Sequence, residues 1–154
     1  MDDTKKAFGI ALKALSRRDH SEAEIRRALH RRGISSGAVD HVVAGLLEAG
    51  YLDDARFART FAESSLRNGR GYGYRIRFDL LRRGVAENII EDSLGTLGAE
   101  YEESALIRDL LAKRYPDFDP RVADDRQKRR VAGFFQRRGF SSAAIVRVLR
   151  DREE

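Results

Sequence analysis

The sequence predicts an all-α protein made of three tandem three-helix repeats that stack into an elongated, curved, solenoid-like row. Two observations carry that expectation. One phrase occurs three times: Ile25-x-x-x-Leu29-x-Arg31-Arg32-Gly33-Ile34, Ile76-x-x-x-Leu80-x-Arg82-Arg83-Gly84-Val85 and Val131-x-x-x-Phe135-x-Arg137-Arg138-Gly139-Phe140. Each copy is followed at matching distance by a second apolar pair, Val39 and Val43, Ile90 and Leu94, Ile145 and Leu149. The three glycines lie 51 and then 55 residues apart, a period at which supersecondary units stack on their neighbours. Composition is the second observation: with 42% hydrophobic and 36% charged residues and only two prolines, the chain suits a helix-rich fold better than a β or disordered one. The expected repeats cover residues 4–52, 53–97 and 98–152.

In the first repeat, Ala11, Leu12 and Leu15 recur at helical spacing until Arg17-Arg18-Asp19 closes the first helix. Ser21-x-x-Glu24 is a capping-box pattern and opens a second helix, with Ile25 and Leu29 one turn apart on its buried face. Gly33 stops that helix by taking a left-handed conformation, and Ile34 folds back as the apolar contact beyond the cap. Ser35 or Ser36 caps a third helix carrying Val39, Val42, Val43, Leu46 and Leu47. Ala49-Gly50-Tyr51-Leu52 then forms a junction.

The second repeat starts on the acids Asp53 and Asp54, places Phe57, Ala58 and Phe61 on one face, and breaks at Asn68-Gly69. Its middle helix runs from about Tyr74 to Arg83. Ala86 stands where the other repeats have the capping serines Ser35 and Ser141, and Thr96-Leu97-Gly98 is the next expected junction. The third repeat opens with Tyr101, Ala105, Leu106, Leu110 and Leu111 on its first helix, and Pro116 with Pro120 marks the following loop. Three helices of this length bury too little surface to stand alone, because each buried Leu, Ile or Phe contributes only about 1.5–3 kcal/mol against large ordering costs. Contacts between adjacent repeats must therefore help.

Catalysis finds little support. There is no cysteine, so disulfides and thiolate metal sites are excluded, and a cytoplasmic setting is expected. The N-terminal segment is interrupted by Lys13, Arg17 and Arg18, unlike a signal peptide, and no run is apolar enough to span a membrane. His20, His30 and His41 lack metal-ligand spacing. Asp53-Asp54 could hold Mg²⁺, but acids at a helix start need no metal to explain them. Gly71-x-Gly73 follows no strand and lacks a third glycine, so it is not a nucleotide-binding fingerprint. The chain reads as a binder, a monomer without cofactor and not an enzyme.

Charge indicates what it binds. The net charge is +5, and the excess lies on the three middle helices. These carry Arg26, Arg27, Arg31 and Arg32 against Glu22 and Glu24. They then carry Arg70, Arg75, Arg77, Arg82 and Arg83 against Asp79, and finally Arg126, Lys128, Arg129, Arg130, Arg137 and Arg138 with no acid between them. Stacked in register, the repeats would align these helices into a basic strip for an anionic partner. Arginines at helix ends also stabilise the dipole by about 0.3–1 kcal/mol each, which competes with a partner role for Arg31-Arg32, Arg82-Arg83 and Arg137-Arg138. Arg129-Arg130 and Arg75 with Arg77 lie earlier in their helices and point to a partner. The loop Gly69-Arg70-Gly71-Tyr72-Gly73-Tyr74-Arg75 combines a mobile backbone with Tyr72 and Tyr74, suited to base stacking or, alternatively, to packing on the core.

Three stretches carry a resemblance. These are Ser21-Glu22-x-Glu24-Ile25-Arg26-x-x-Leu29 with Gly33, Leu47-Glu48-x-Gly50-Tyr51-Leu52-Asp53-Asp54-x-Arg56-Phe57-Ala58, and Gly71 with Arg75-Ile76-x-x-x-Leu80-x-x-x-Gly84-Val85. Together they resemble the RecX regulatory proteins of bacteria over nearly the whole chain, most specifically in the Gly-Tyr-Leu-Asp-Asp-x-Arg-Phe-Ala block. The resemblance implies three tandem three-helix repeats and a regulator that lies in the groove of the RecA–single-stranded-DNA filament. It implies modulation, usually inhibition, of filament growth, ATPase and strand exchange, with weak, sequence-independent nucleic-acid contact. The Arg70-Gly71-Tyr72-Gly73-Tyr74 stretch departs from the family's usual Gly-Pro and implies a softer loop. A sequence-specific helix-turn-helix DNA-binding protein is the alternative, since Ser21 to Leu52 has the cadence of a winged-helix core.

Overall fold

The computed structural model describes residues 3–150. Among them every regular element is a helix: α1 (Asp3–Arg17), α2 (Glu22–Arg31), α3 (Ser36–Glu48), α4 (Asp54–Arg67), α5 (Tyr74–Arg82), α6 (Glu87–Glu100), α7 (Glu103–Arg114), α8 (Asp125–Arg137) and α9 (Ser142–Arg150). They fall into three triplets, as the repeated phrase predicts.

Local chemistry sets the ends of the middle helices. The Ser21 hydroxyl accepts the Glu24 N–H at 3.1 Å, while the Glu24 carboxylate accepts the Ser21 N–H at 3.0 Å, completing the capping box of α2. At its other end Gly33 has φ +77°. The Ile34 N–H reaches back to the Leu29 carbonyl at 3.1 Å and the Gly33 N–H to that of His30 at 3.0 Å, a Schellman cap. Gly84 and Gly139 close α5 and α8 with the same pair of bonds, from Val85 to Leu80 and from Phe140 to Phe135 across six residues. Asp124 and Gln127 form a second capping box at the start of α8, which the sequence reading missed because it counted only the cations there.

In the first triplet α1, α2 and α3 pack on one another around Ile25, Leu29, Val39, Val42, Val43 and Leu46. Leu12 and Leu47, counted among the apolar residues of their helices, are 44% and 42% exposed. Each lies one residue, or about 100°, off the stripe its helix uses: Ala7, Ala11, Ala14 and Leu15 in α1, and Val39, Val42, Val43 and Leu46 in α3. In the third triplet α7 and α8 pack on α9. Phe135 sits at the centre, edge-on to Phe134 at 5.2 Å and to Phe140 at 5.6 Å. The buried apolar residue of α7 is Ile107, with Ser104 buried beside its start; Ala105 is exposed and Tyr101 precedes the helix. The pattern of α7 is apolar over much of its circumference, so the sequence did not define its phase. Thr96-Leu97-Gly98, expected as a junction, lies inside α6 with Leu97 buried. The turn comes a few residues later, where the Glu102 carboxylate caps α7 by accepting the Ser104 and Ala105 N–H groups at 3.1 and 3.0 Å.

The described residues pack as two compact units, one comprising residues 3–61 with Asp79–Ser93, the other Ala62–Phe78 with residues 94–150. Within each unit the same joint ties one triplet to the next. In the first, the Ser21 hydroxyl donates to the carbonyl of Arg83, the residue that caps α5, at 2.5 Å. The Glu22 N–H donates to Asp54 at 2.9 Å, and the Arg27 guanidinium to the Arg82 carbonyl at 3.2 Å. In the second unit, the Tyr72 N–H donates to the carbonyl of Arg138, which caps α8, at 2.7 Å, and the Tyr74 hydroxyl to the Gln136 carbonyl at 2.8 Å. Ser21 and Tyr72 hold equivalent repeat positions, so the unsatisfied C-terminal carbonyls of one middle helix are met by the loop that starts the preceding one.

Ala86 is exposed at the start of α6, whereas Ser35 and Ser141 accept N–H groups of Ala38 and Ala144 at 3.4 and 3.2 Å. Ala86→Ser should therefore stabilise the protein by about 1 kcal/mol, read as a higher urea midpoint at constant slope.

Candidate partner-binding surface

The residues singled out by charge and loop chemistry separate into those the fold already uses and those it leaves open. Arg26 is taken by Asp40 at 2.7 Å and by Glu22 at 3.3 Å. Arg83 pairs with Glu24 at 3.3 Å, and its guanidinium lies 4.8 Å from the centre of the Phe61 ring. Arg138 donates to the Gly69 carbonyl and covers the Phe134 ring at 4.4 Å. Arg75, Arg77 and Arg82 also have interactions within the fold. Of each arginine pair before the cap glycine, the second member is thus a joint residue in the second and third repeats. Arg32, the matching member in the first repeat, is exposed.

Arg126, Arg129, Arg130 and Arg137 form the open set. All four are exposed, and among the described residues none makes a side-chain hydrogen bond or ion pair. At about 100° per residue, they share one exposed arc of α8, beside the buried stripe of Val131, Phe134 and Phe135. Arg137 crosses Gly133, whose missing side chain gives its guanidinium room. Lys128 is half-buried on the flank next to the core stripe, apart from the other four. Arg31 and Arg32 are exposed beside the groove between α1 and α2, and Arg70 is exposed at the end of α4.

The glycine-rich loop makes specific contacts. Gly69 and Arg70 close α4 with N–H bonds to Leu66 and Ser65 at 3.3 and 2.9 Å, and Tyr72 is pinned by Arg138. The Tyr72 ring stacks on Phe140 at 5.1 Å with 9° between planes, so one face belongs to the third-repeat core. Burial, with the charges of Glu103 and Glu102, pushes its phenol pKa up. Tyr74 is 60% exposed, its hydroxyl held by Gln136.

The acids have structural partners too. Asp53 caps α4 by accepting the Arg56 N–H at 3.1 Å, and Asp54 accepts the Glu22 N–H. Burial pushes the Glu24 carboxyl up, but the Arg18 hydrogen bond, the Ser21 N–H and the charges of Arg18 and Arg83 outweigh it and hold the group below its ordinary value. A carboxylate lowered on folding stabilises above its unfolded pKa, and that stabilisation disappears as pH falls through the folded one. The advantage of the native chain over Glu24→Gln should therefore be full at neutral pH and shrink below about pH 4, read from urea midpoints across that range.

Among the described residues no helix is long and apolar enough to cross a membrane, and no strand forms the wing that the winged-helix alternative would need.

Three family models match the chain in order: "RecX, first three-helix domain" at residues 7–46, "RecX, second three-helix domain" at 53–94 and "RecX, third three-helix domain" at 100–149. The regulatory protein RecX of Syntrophotalea carbinolica is 37% identical over 90% of this chain and 91% of its own. That of Trichlorobacter lovleyi is 40% identical over 88% of both. The crystal structure of RecX from Lactobacillus salivarius shares the fold, with a TM-score of 0.74 at 19% identity over 97% of this chain and 96% of that one.

Proposed function

The chain belongs to the RecX family of regulatory proteins, and we propose that it binds the RecA–single-stranded-DNA filament and restrains its growth, ATPase and strand exchange. The observation that carries this reading, beside the family, is the face of α8 on which Arg126, Arg129, Arg130 and Arg137 stand without partners among the described residues. Unneutralised arginines on one helical face suit a phosphate backbone, whose contacts are sequence-independent and weaken with salt. The protein acts by binding rather than catalysis, and neither cofactor nor metal enters the reading.

The test adds the purified protein to RecA assembled on single-stranded DNA and follows ATP hydrolysis and filament length. Both are expected to fall at stoichiometric amounts; no change in either overturns the proposal. A preference of several orders of magnitude for one duplex sequence would favour a site-reading helix-turn-helix protein instead.

A further inference from the structure

We propose that the groove between α1 and α2 is a docking site for an acidic amphipathic helix of a partner protein. Five cations line it: Lys6, Lys13 and Arg17 from α1, Arg31 and Arg32 from the end of α2 and its cap. Among the described residues no carboxylate lines it, and none of the five has a side-chain hydrogen bond or ion pair. Their neighbours differ. Arg18 is paired with Glu24 at 2.9 Å, and Arg26 with Asp40 and Glu22. Helix-end stabilisation accounts for Arg17, Arg31 and Arg32, but not for Lys6 or Lys13, which lie in the first and middle turns of α1.

The floor selects the class of anion. Ile10, Ala14 and Ala28 are half-buried apolar side chains at the base of an open trough of about 450 Å³, and a side chain at Gly9 would meet nothing within 4 Å. Among the described residues no aromatic side chain lines the groove, so bases would have nothing there to stack on, although stacking is a main element of single-strand recognition. An apolar floor between cationic rims instead suits a helix that presents apolar residues inward and acids outward. Lys6, Lys13 and Arg17 rise about 10 and 16 Å along α1, at about 1.5 Å per residue, the spacing of acids at i, i+7 and i+11 on a facing helix. The inference does not depend on the filament reading, because the groove recognises chemistry rather than a named partner.

The probe is a fluorescein-labelled, helix-forming peptide of about 20 residues, with glutamates along one face and leucine and alanine along the other. Its anisotropy is followed with the full-length protein, in parallel with a labelled oligothymidylate of equal length. The intact protein is expected to bind the peptide, and Lys6→Glu with Lys13→Glu to weaken that binding at least about tenfold, with oligothymidylate affinity changed less than about twofold. Lys6→Arg with Lys13→Arg should retain peptide binding. Both lysines are exposed, so helicity should persist; if the reversal unfolds the chain, Lys6→Ala with Lys13→Ala must give the same loss. Failure of the intact protein to bind the peptide, or insensitivity of binding to these changes, overturns the proposal. A loss confined to oligothymidylate also overturns it and assigns the groove to nucleic acid. The ATPase assay is independent of each outcome.

Discussion

Reversing Arg129 and Arg130 together to Glu is expected to weaken single-stranded-DNA and filament binding by about ten- to a hundredfold at moderate salt, with helicity unchanged. Both side chains are exposed and without partners among the described residues, so the fold loses no interaction when they change. They stand mid-helix, where the dipole contributes little, and the capping box of Asp124 and Gln127 is untouched. A phosphate-binding cation contributes through counterion release, and removing one such cation lowers the slope of log K against log salt by about 0.7 on a single strand. The double reversal should therefore reduce the slope by at least about 1.4 and add repulsion. Titrations at three or more salt concentrations, beside far-ultraviolet circular dichroism, read both effects. An unchanged affinity and slope would assign the two arginines to a solvated face.

Replacing Gly139 with Ala should destabilise the protein by about 3 kcal/mol or more, because backbone strain and overpacking each cost about 1–3 kcal/mol. Gly139 has φ +95°, and a Cβ there would overlap the Tyr72 carbonyl oxygen and stand 3.1 Å from the Arg75 nitrogen. Both obstacles are backbone and cannot swing away. Gly33 is the control: it has φ +77° in the equivalent cap, but a Cβ would meet nothing within 4 Å, so Gly33→Ala should cost only about 1 kcal/mol. Urea denaturation of the two variants separates the cost of the left-handed turn from that of the joint packed onto it. Equal losses would mean that the joint yields freely to a methyl group.

How far the sequence could be read follows the range of the physics involved. Ser21 with Glu24 and the glycines at 33, 84 and 139 are determined by bonds within six residues, so the starts and stops of the middle helices are legible, as is the triplication. The phase of α7 is not: Leu106, Ile107, Leu110 and Leu111 cover too much of the helix for periodicity to choose Ile107, and α9 decides. The bond that holds Tyr72 is not legible either, because its acceptor, Arg138, lies far away in the chain.

The charged surface divides in the same way. By itself the sequence determined how many cations the repeats carry, their positions along each helix and the family. Tertiary structure decided which of them remain available, since Arg83 and Arg138 are drawn into joints by Glu24, Phe61, Gly69 and Phe134 while Arg32, with the same local sequence, is left exposed beside α1. It also brought Lys6, Lys13 and Arg17 of α1 beside the end of α2, a grouping hidden when charge was counted along the middle helices alone. The physical reason is that capping depends on neighbours within a turn, whereas neutralisation of a long side chain depends on whatever the fold places within a few ångströms of its end.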